Sequence, residues 1–264
     1  MSDITFARSR HEYDSYTDFW RLIELSGYPL IYVDEIDPDS DHCYIFSPNN
    51  GETKVGWPGA KARIIFYQLE WETHPNDSGP LPPGVTEKWT HDRWHAERIG
   101  ARYVPIGSHP DLRYTLTAQI EGWQNYHTAL MAYLGPPRRL RIHDQLIGRG
   151  LRLAPNAWGV ERHHILTHSR SMLHIHQHDG IPGVASLRVA LAAAYSLPYL
   201  SEQVADRGIF SHSNMLFSDY PHLADFAHTW LCRNESRILE DYGRALYQLL
   251  CVDKTFHKCI EAAL

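Results

Sequence analysis

The chain has 264 residues, 43% of them hydrophobic, and 25 Lys and Arg against 31 Asp and Glu, a formal net charge of −6. That length holds one large domain or two small ones around a real core, and the acidic balance argues against a large nucleic-acid footprint. No apolar run approaches the roughly 18 residues of a membrane span, and the opening MSDITFARSRHEYD has no apolar signal core. The sequence therefore predicts a soluble protein of the cytoplasm.

In chain order, YTDFWRLIELSG reads as an amphipathic helix stopped by Gly27. Strands follow at 29-PLIYVDEI-36 and 42-HCYIFSP-48, and 62-ARIIFYQLEW-71 is an apolar run suited to a strand buried on both faces. A Pro/Gly-rich loop leads to a strand at 86–90, a helix at 91–100 and a strand at 102–107. A second block repeats the alternation, with strands at 126–134, 151–155, 171–178 and 197–202. Helices are predicted at 136–150, 159–169 and about 186–196. The last 40 residues are helical in pattern. Strand-helix alternation of this kind predicts parallel sheets in an α/β chain of two units. Cys43, Cys232, Cys251 and Cys259 form no Cys-x-x-Cys pair, so they read as reduced thiols rather than zinc ligands. Arg139 and its neighbours in 138-RRLR-141, with Arg149 and Arg152, form a basic stretch that reads as a solvated helix end or a local nucleic-acid contact.

Two stretches carry chemistry. In 174-HIHQHD-179 three histidines alternate, so a strand through them would put His174, His176 and His178 on one face. Such a face can bind a metal, but a histidine in mid-strand is more readily a satisfied core residue. His178 and Asp179, at the strand's end, are the pair placed to meet a ligand, and Asp179 alternatively serves the turn before Gly180. The stretch 180-GIPGVASLR-188 then joins two glycines to a helix start. Helix N-termini offer free N–H donors and the positive end of a dipole. Ser186, Leu187 and Arg188 at that start suit a diphosphate, Arg188 by bidentate, permanently charged pairing. The competing readings are a helix cap for Ser186 and a surface ion pair for Arg188.

The order LAPNAWG…ERHHILTHSRSMLHIHQHDG…SLRVALAAAYSLPYLSE resembles the C-terminal half of a GT-B glycosyltransferase, with a family 1/4-like donor domain, over roughly residues 151–206. The segments 64-IIFYQLEW-71, 89-WTHDRW-94 and 103-YVPIGSHP-110 are similar to the N-terminal half of small phage- and capsule-type members. The resemblance implies two Rossmann-like domains facing across a cleft, with C-terminal helices packing back on the N-terminal domain. The implied division is 1–107 for a trimmed acceptor-side domain, 108–220 for the nucleotide-sugar domain and 221–264 for the crossing helices. One departure stands out: 188-RVALAAAY-195 lacks the Glu that many retaining members carry on this helix, which leaves the sugar-holding contact open.

The implied activity is transfer of a sugar from a nucleotide-sugar donor, UDP-linked, to a hydroxyl acceptor such as a surface glycan or a modified DNA base. Ser201 and Glu202 would lie near the donor ribose, and Asn156 and His109 would face the donor pocket. An inverting reaction needs a base from the N-terminal side. The candidates rank Glu70, Glu52 and Asp34, with His91 and Asp92 also at a strand end. No essential cofactor is implied, a divalent ion such as Mg²⁺ being at most an assistant, because 37-DPD-39 and 39-DSD-41 read as a solvated turn. Two rival readings are a non-catalytic nucleotide- or glycan-binding module with a degenerate GT-B fold and, from HIHQHD alone, a metal hydrolase.

Overall fold

The computed structural model describes residues 4–10, 16–47, 56–69, 81–114, 126–232 and 236–264. Two all-parallel sheets organise them. The first has the strands β1 (Ile4–Arg8), β2 (Leu30–Tyr32), β3 (Cys43–Phe46), β4 (Arg63–Gln68), β5 (Glu87–Thr90) and β6 (Arg102–Tyr103), in the order β2-β1-β3-β4-β5-β6. The helices α1 (Thr17–Leu25) and α2 (Arg93–Ile99) belong to this half. The second sheet has β7 (Thr128–Ala129), β8 (Leu153–Ala154), β9 (Met172–His174), β10 (Tyr199–Glu202) and β11 (Leu216–Ser218), in the order β11-β10-β9-β7-β8. Its helices are α3 (Pro137–Gly148), α4 (Gly159–Thr167) and α5 (Ser186–Ala194).

The predicted helices form within one or two residues of the expected ends. β3 is buried at every position and β4 at all but the first, as a parallel sheet covered on both faces requires. Two strands escape the sequence reading. β1, in the polar opening segment, lies between β2 and β3, pairing Phe6 with Leu30 and Ile45. β11 is only three residues long and closes one edge of the second sheet.

Several predicted strands are shorter than read, and one shortening matters. β9 stops at His174, so His176 and His178 stand on the loop beyond it and the three histidines do not share a strand face. The ladder ends there because the His176 N–H turns to the Glu202 carboxylate, at 3.2 Å, instead of a neighbouring strand. Likewise the strand predicted to reach Ile36 ends at Tyr32, and Val33–Glu35 form a 3-10 turn.

The C-terminal region divides. Helix α6 (Leu223–Cys232) buries Leu223, Ala227 and Leu231 in a cluster with Ile142 of α3 and Leu173 and Leu200 of the second sheet, and α7 (Ser236–Tyr247) lies against α5. After a π-helical turn at Gln248–Asp253, α8 (Phe256–Glu261) reaches the first sheet. There the Phe256 ring lies 5.8 Å from both Phe6 and Phe19. The chain crosses between halves at Gly107 and Ser108. Ser108 N–H donates to Leu250 O and its carbonyl accepts from Phe256 N–H, while its hydroxyl donates to Ala190 O of α5. A Cβ on Gly107 would overlap the Lys254 carbonyl, so only glycine fits against the returning chain. One buried cluster consequently runs from Phe6, Ile45 and Tyr67 through Val189 and Leu191 to Phe256.

Candidate functional site

Beyond the C-terminal end of β9 lies a cleft of about 520 Å³, within the range of small-ligand sites. Tyr16, Leu69, His91 and Ile106 of the first half line it together with residues of the second. Its described lining includes three arginines, Arg139, Arg162 and Arg188, and no acidic residue.

Each arginine is held by the fold. Arg139, in the first turn of α3, is buried and donates to the carbonyls of Ile175 and Tyr133 at 2.9 and 3.2 Å. Burial, then the nearby charges of Arg188 and Arg138, lower its pKa to about 10. Arg162 on α4 donates to Ala157 O and pairs with buried Asp18 of α1. The Trp158 ring covers its guanidinium, 4.0 Å away. Arg188, in the first turn of α5, donates to His174 Nδ1 at 2.9 Å. That bond fixes His174 as neutral, with its proton on Nε2. Burial, followed by the charges of Arg188, His176 and Arg139, pushes the His174 pKa well below the ordinary value.

The loop from His178 to Ala185 swings past the cleft, Gly180 taking φ +76°. It delivers α5 with no side-chain cap on its first turn. Ser186 Oγ lies 3.1 Å from His91 Nδ1, and His91 Nε2 is 3.0 Å from Leu69 O. The Leu69 carbonyl can only accept, so Nε2 donates to it, and the Ser186 hydroxyl also lies 3.3 Å from Val184 O. The His91–Ser186 contact joins the end of β5 to the start of α5.

Of the residues assigned to donor binding from sequence, His178, Ser186, Leu187 and Arg188 line the cleft. The others are engaged elsewhere. Asp179 and Glu202 both pair with Arg138, which also lies over the Tyr220 ring at 3.8 Å. Ser201 is buried and bonds the Glu202 carbonyl. Asn156 is exposed in the turn before α4, and His109 accepts from Asp111 N–H at the start of a 3-10 turn. Among the base candidates, Asp34 is exposed and paired with Arg10 at 2.9 Å, away from the cleft lining. Glu52 and Glu70 lie outside the described residues. The basic stretch divides: Arg138 and Arg139 turn inward, while Arg141, Arg149 and Arg152 are exposed, Arg149 pairing with Asp225. Arg139, Arg162 and His176 join the site without having been singled out for it. For Arg162 the available signal was Trp158 four residues earlier, the spacing that places a cation over a ring on one helix face.

Among the described residues no group of three or more His, Cys, Asp or Glu side chains is placed to hold a metal ion. Nor does any described helix have the length and apolarity to cross a membrane.

This architecture is the GT-B glycosyltransferase fold. No sequence-family model and no curated sequence matches the chain, so the likeness is carried by solved structures. AviGT4, a glycosyltransferase involved in avilamycin A biosynthesis, superimposes with a TM-score of 0.61 at 12% identity, over 98% of this chain and 96% of its own. The DNA-modifying β-glucosyltransferase, solved with and without uridine diphosphoglucose, gives 0.52 at 12% identity over 98% and 96%. TarM gives 0.54 at 10% identity over 88% of this chain, which spans 55% of TarM's length.

Proposed function

We propose that the protein is a glycosyltransferase that binds a nucleotide-sugar, UDP-linked, and passes its sugar to a hydroxyl acceptor. The carrying observation is the cleft at the start of α5, where Arg139, Arg162 and Arg188 converge without an acidic neighbour in the described lining. A diphosphate needs this arrangement. Its two negative charges meet guanidiniums and the uncapped N–H groups of Ser186 and Leu187, and the helix end adds about half a positive charge. Charge-assisted hydrogen bonds of this kind contribute about 1.5–3 kcal/mol each. They strengthen as the sugar leaves and charge builds on the diphosphate, so they accelerate transfer as well as bind. His178 stands at the mouth of the same cleft.

In this reading the first half, 1–107, presents the acceptor and 108–220 holds the donor across the cleft. Glu70 takes the role of base, because it directly follows Leu69 of the cleft wall. The arginines supply the positive charge, so transfer proceeds without a resident metal and Mg²⁺ only assists. The acceptor is a hydroxyl of a glycan or of a modified DNA base; Arg138 and Arg139 turn inward, and Arg141, Arg149 and Arg152 remain the exposed part of the basic stretch.

A thermal-shift screen against UDP-, GDP-, ADP- and dTDP-sugars tests the reading, since a ligand that binds only the folded chain raises its melting temperature. One donor should raise it and be hydrolysed slowly with chelator present. No shift from any donor overturns the reading; a shift without turnover reduces it to nucleotide binding; turnover abolished by chelator removes the metal-free claim.

A further inference from the structure

Resting on the donor reading, we infer that His176 is the hydroxyl-reading group of the sugar subsite, a specificity-determining residue that hydrogen-bonds the transferred sugar as a neutral imidazole. His176 lines the cleft and is 3% exposed, and its Nε2 is closed off from solvent with no hydrogen-bond partner among the described residues. A buried polar nitrogen without a partner costs on the order of 1–3 kcal/mol, so native folds rarely keep one unless something satisfies it. The ring is otherwise well placed. Its backbone N–H is pinned by Glu202, and the His174 ring packs edge-on at 4.9 Å. Rotation about χ2, a soft twofold torsion, presents either ring edge to the cleft.

The chemistry of the surroundings selects the ligand group. Arg139, Arg162 and Arg188 can only donate, which suits phosphate oxygens. A sugar also brings hydroxyl protons, and these need acceptors. No described lining residue is a carboxylate, and along α5 the cleft-facing residues after Arg188 come down to Leu191. The side-chain acceptors of the lining are therefore neutral ones, Gln177, Ser186, the tyrosines and the histidines, and the neutral imidazole of His176 offers one nitrogen that accepts and one that donates, matching a hydroxyl that does both. Neutrality is secured by the site. Burial lowers the His176 pKa to about 4; Glu202 opposes the shift, and the charges of Arg138, Arg139 and Arg188 add to it. An imidazolium would instead add a further donor to a cleft rich in them.

The test compares each nucleoside diphosphate with its own glucose conjugate by calorimetry, on wild type, His176→Leu and His176→Gln, after matching circular dichroism confirms folding. Free diphosphate should bind all three equally. The conjugate should lose about tenfold in affinity in His176→Leu, the worth of one net hydrogen bond, and recover in His176→Gln, whose amide both donates and accepts. Deoxyglucose donors lacking the read hydroxyl should bind wild type and His176→Leu alike. An equal conjugate affinity in wild type and His176→Leu overturns the assignment. Loss of free diphosphate binding in His176→Leu also overturns it and moves the residue to the phosphate. A wild type that binds neither diphosphate nor conjugate sinks the donor reading, and the assignment with it.

Discussion

Asp18 of α1 and His163 of α4 sit 2.9 Å apart, carboxylate to Nε2, although 145 residues separate them in the chain. The second Asp18 oxygen takes Arg162, and His163 Nδ1 lies 2.6 Å from the Tyr195 hydroxyl. Asp18, Arg162 and His163 are each at most 4% exposed. This buried network ties the first helix of the chain to the helix that presents Arg162 to the cleft.

Breaking the network should be costly. Asp18→Ala leaves a guanidinium buried without its counter-charge, a change worth about 3–5 kcal/mol. The melting temperature should fall by roughly 10 °C at a few degrees per kcal/mol. Burial pushes the Asp18 carboxyl up, but the His163 hydrogen bond and the Arg162 charge outweigh it, so its folded pKa lies below 3.8. Its contribution is therefore full above pH 3.8 and lost as the pH falls through the lower folded value. Melting curves of wild type and variant should converge only in strong acid; a constant gap down to pH 2 contradicts the assignment.

Arg188→Ala should abolish the nucleotide-induced thermal shift and lower the unliganded melting temperature by several degrees while the chain still folds, since buried His174 Nδ1 loses its donor, a cost of about 1–3 kcal/mol. Arg188→Lys should restore part of the shift, because a point charge cannot reproduce a bidentate fork. An unchanged shift in the alanine variant would remove Arg188 from the site.

Much of this was legible in the chain's own pattern. Continuous apolar runs such as 64–67 announce strands covered on both faces, and a glycine loop opening a small-residue helix announces the start of α5, where Ser186 and Arg188 line the cleft. What escaped was tertiary in origin. β1 carries Thr5 and Arg8 around its buried Phe6 and Ala7, and only β2 and β3 on either side make it a central strand. Arg139 sits in a helix that reads as a solvated basic face, and only the segments that follow β7 and β9 supply the carbonyls, of Tyr133 and Ile175, that turn it inward. The alternation in HIHQHD promised a strand, but Glu202 captures the His176 N–H and ends the ladder early.

Asp92 gives a pH dependence of the opposite sign. It caps α2 by accepting from His95 N–H at 2.7 Å. Burial and, secondarily, the charge of Asp206 raise its pKa from 3.8 to about 6. The folded chain thus holds a proton that the unfolded chain releases, so this carboxyl favours folding below pH 4 and the advantage fades as the pH rises toward 6. Asp92→Asn keeps the cap and removes the buried charge. Above pH 7 it should be more stable than wild type by on the order of 2 kcal/mol, measured by urea melts. A variant less stable than wild type at pH 7.5 would show that the ionised carboxylate is wanted there.

The last prediction concerns the return of the chain to its first sheet. Phe256 is fully buried among Phe6, Phe19 and Tyr28, with ring centroids 5.8, 5.8 and 6.4 Å away. Phe256→Ala should cost about 3–5 kcal/mol through lost burial and the cavity left behind. Gly107→Ala attacks the same junction from the other side, because its Cβ would meet backbone atoms of Lys254 and Phe256 that have nowhere to move. Both variants should free α8 for early proteolytic cleavage while α6 and α7, packed on the second sheet and on α5, stay protected. Equal protection of all three helices in both variants would mean that α8 is held by contacts other than these.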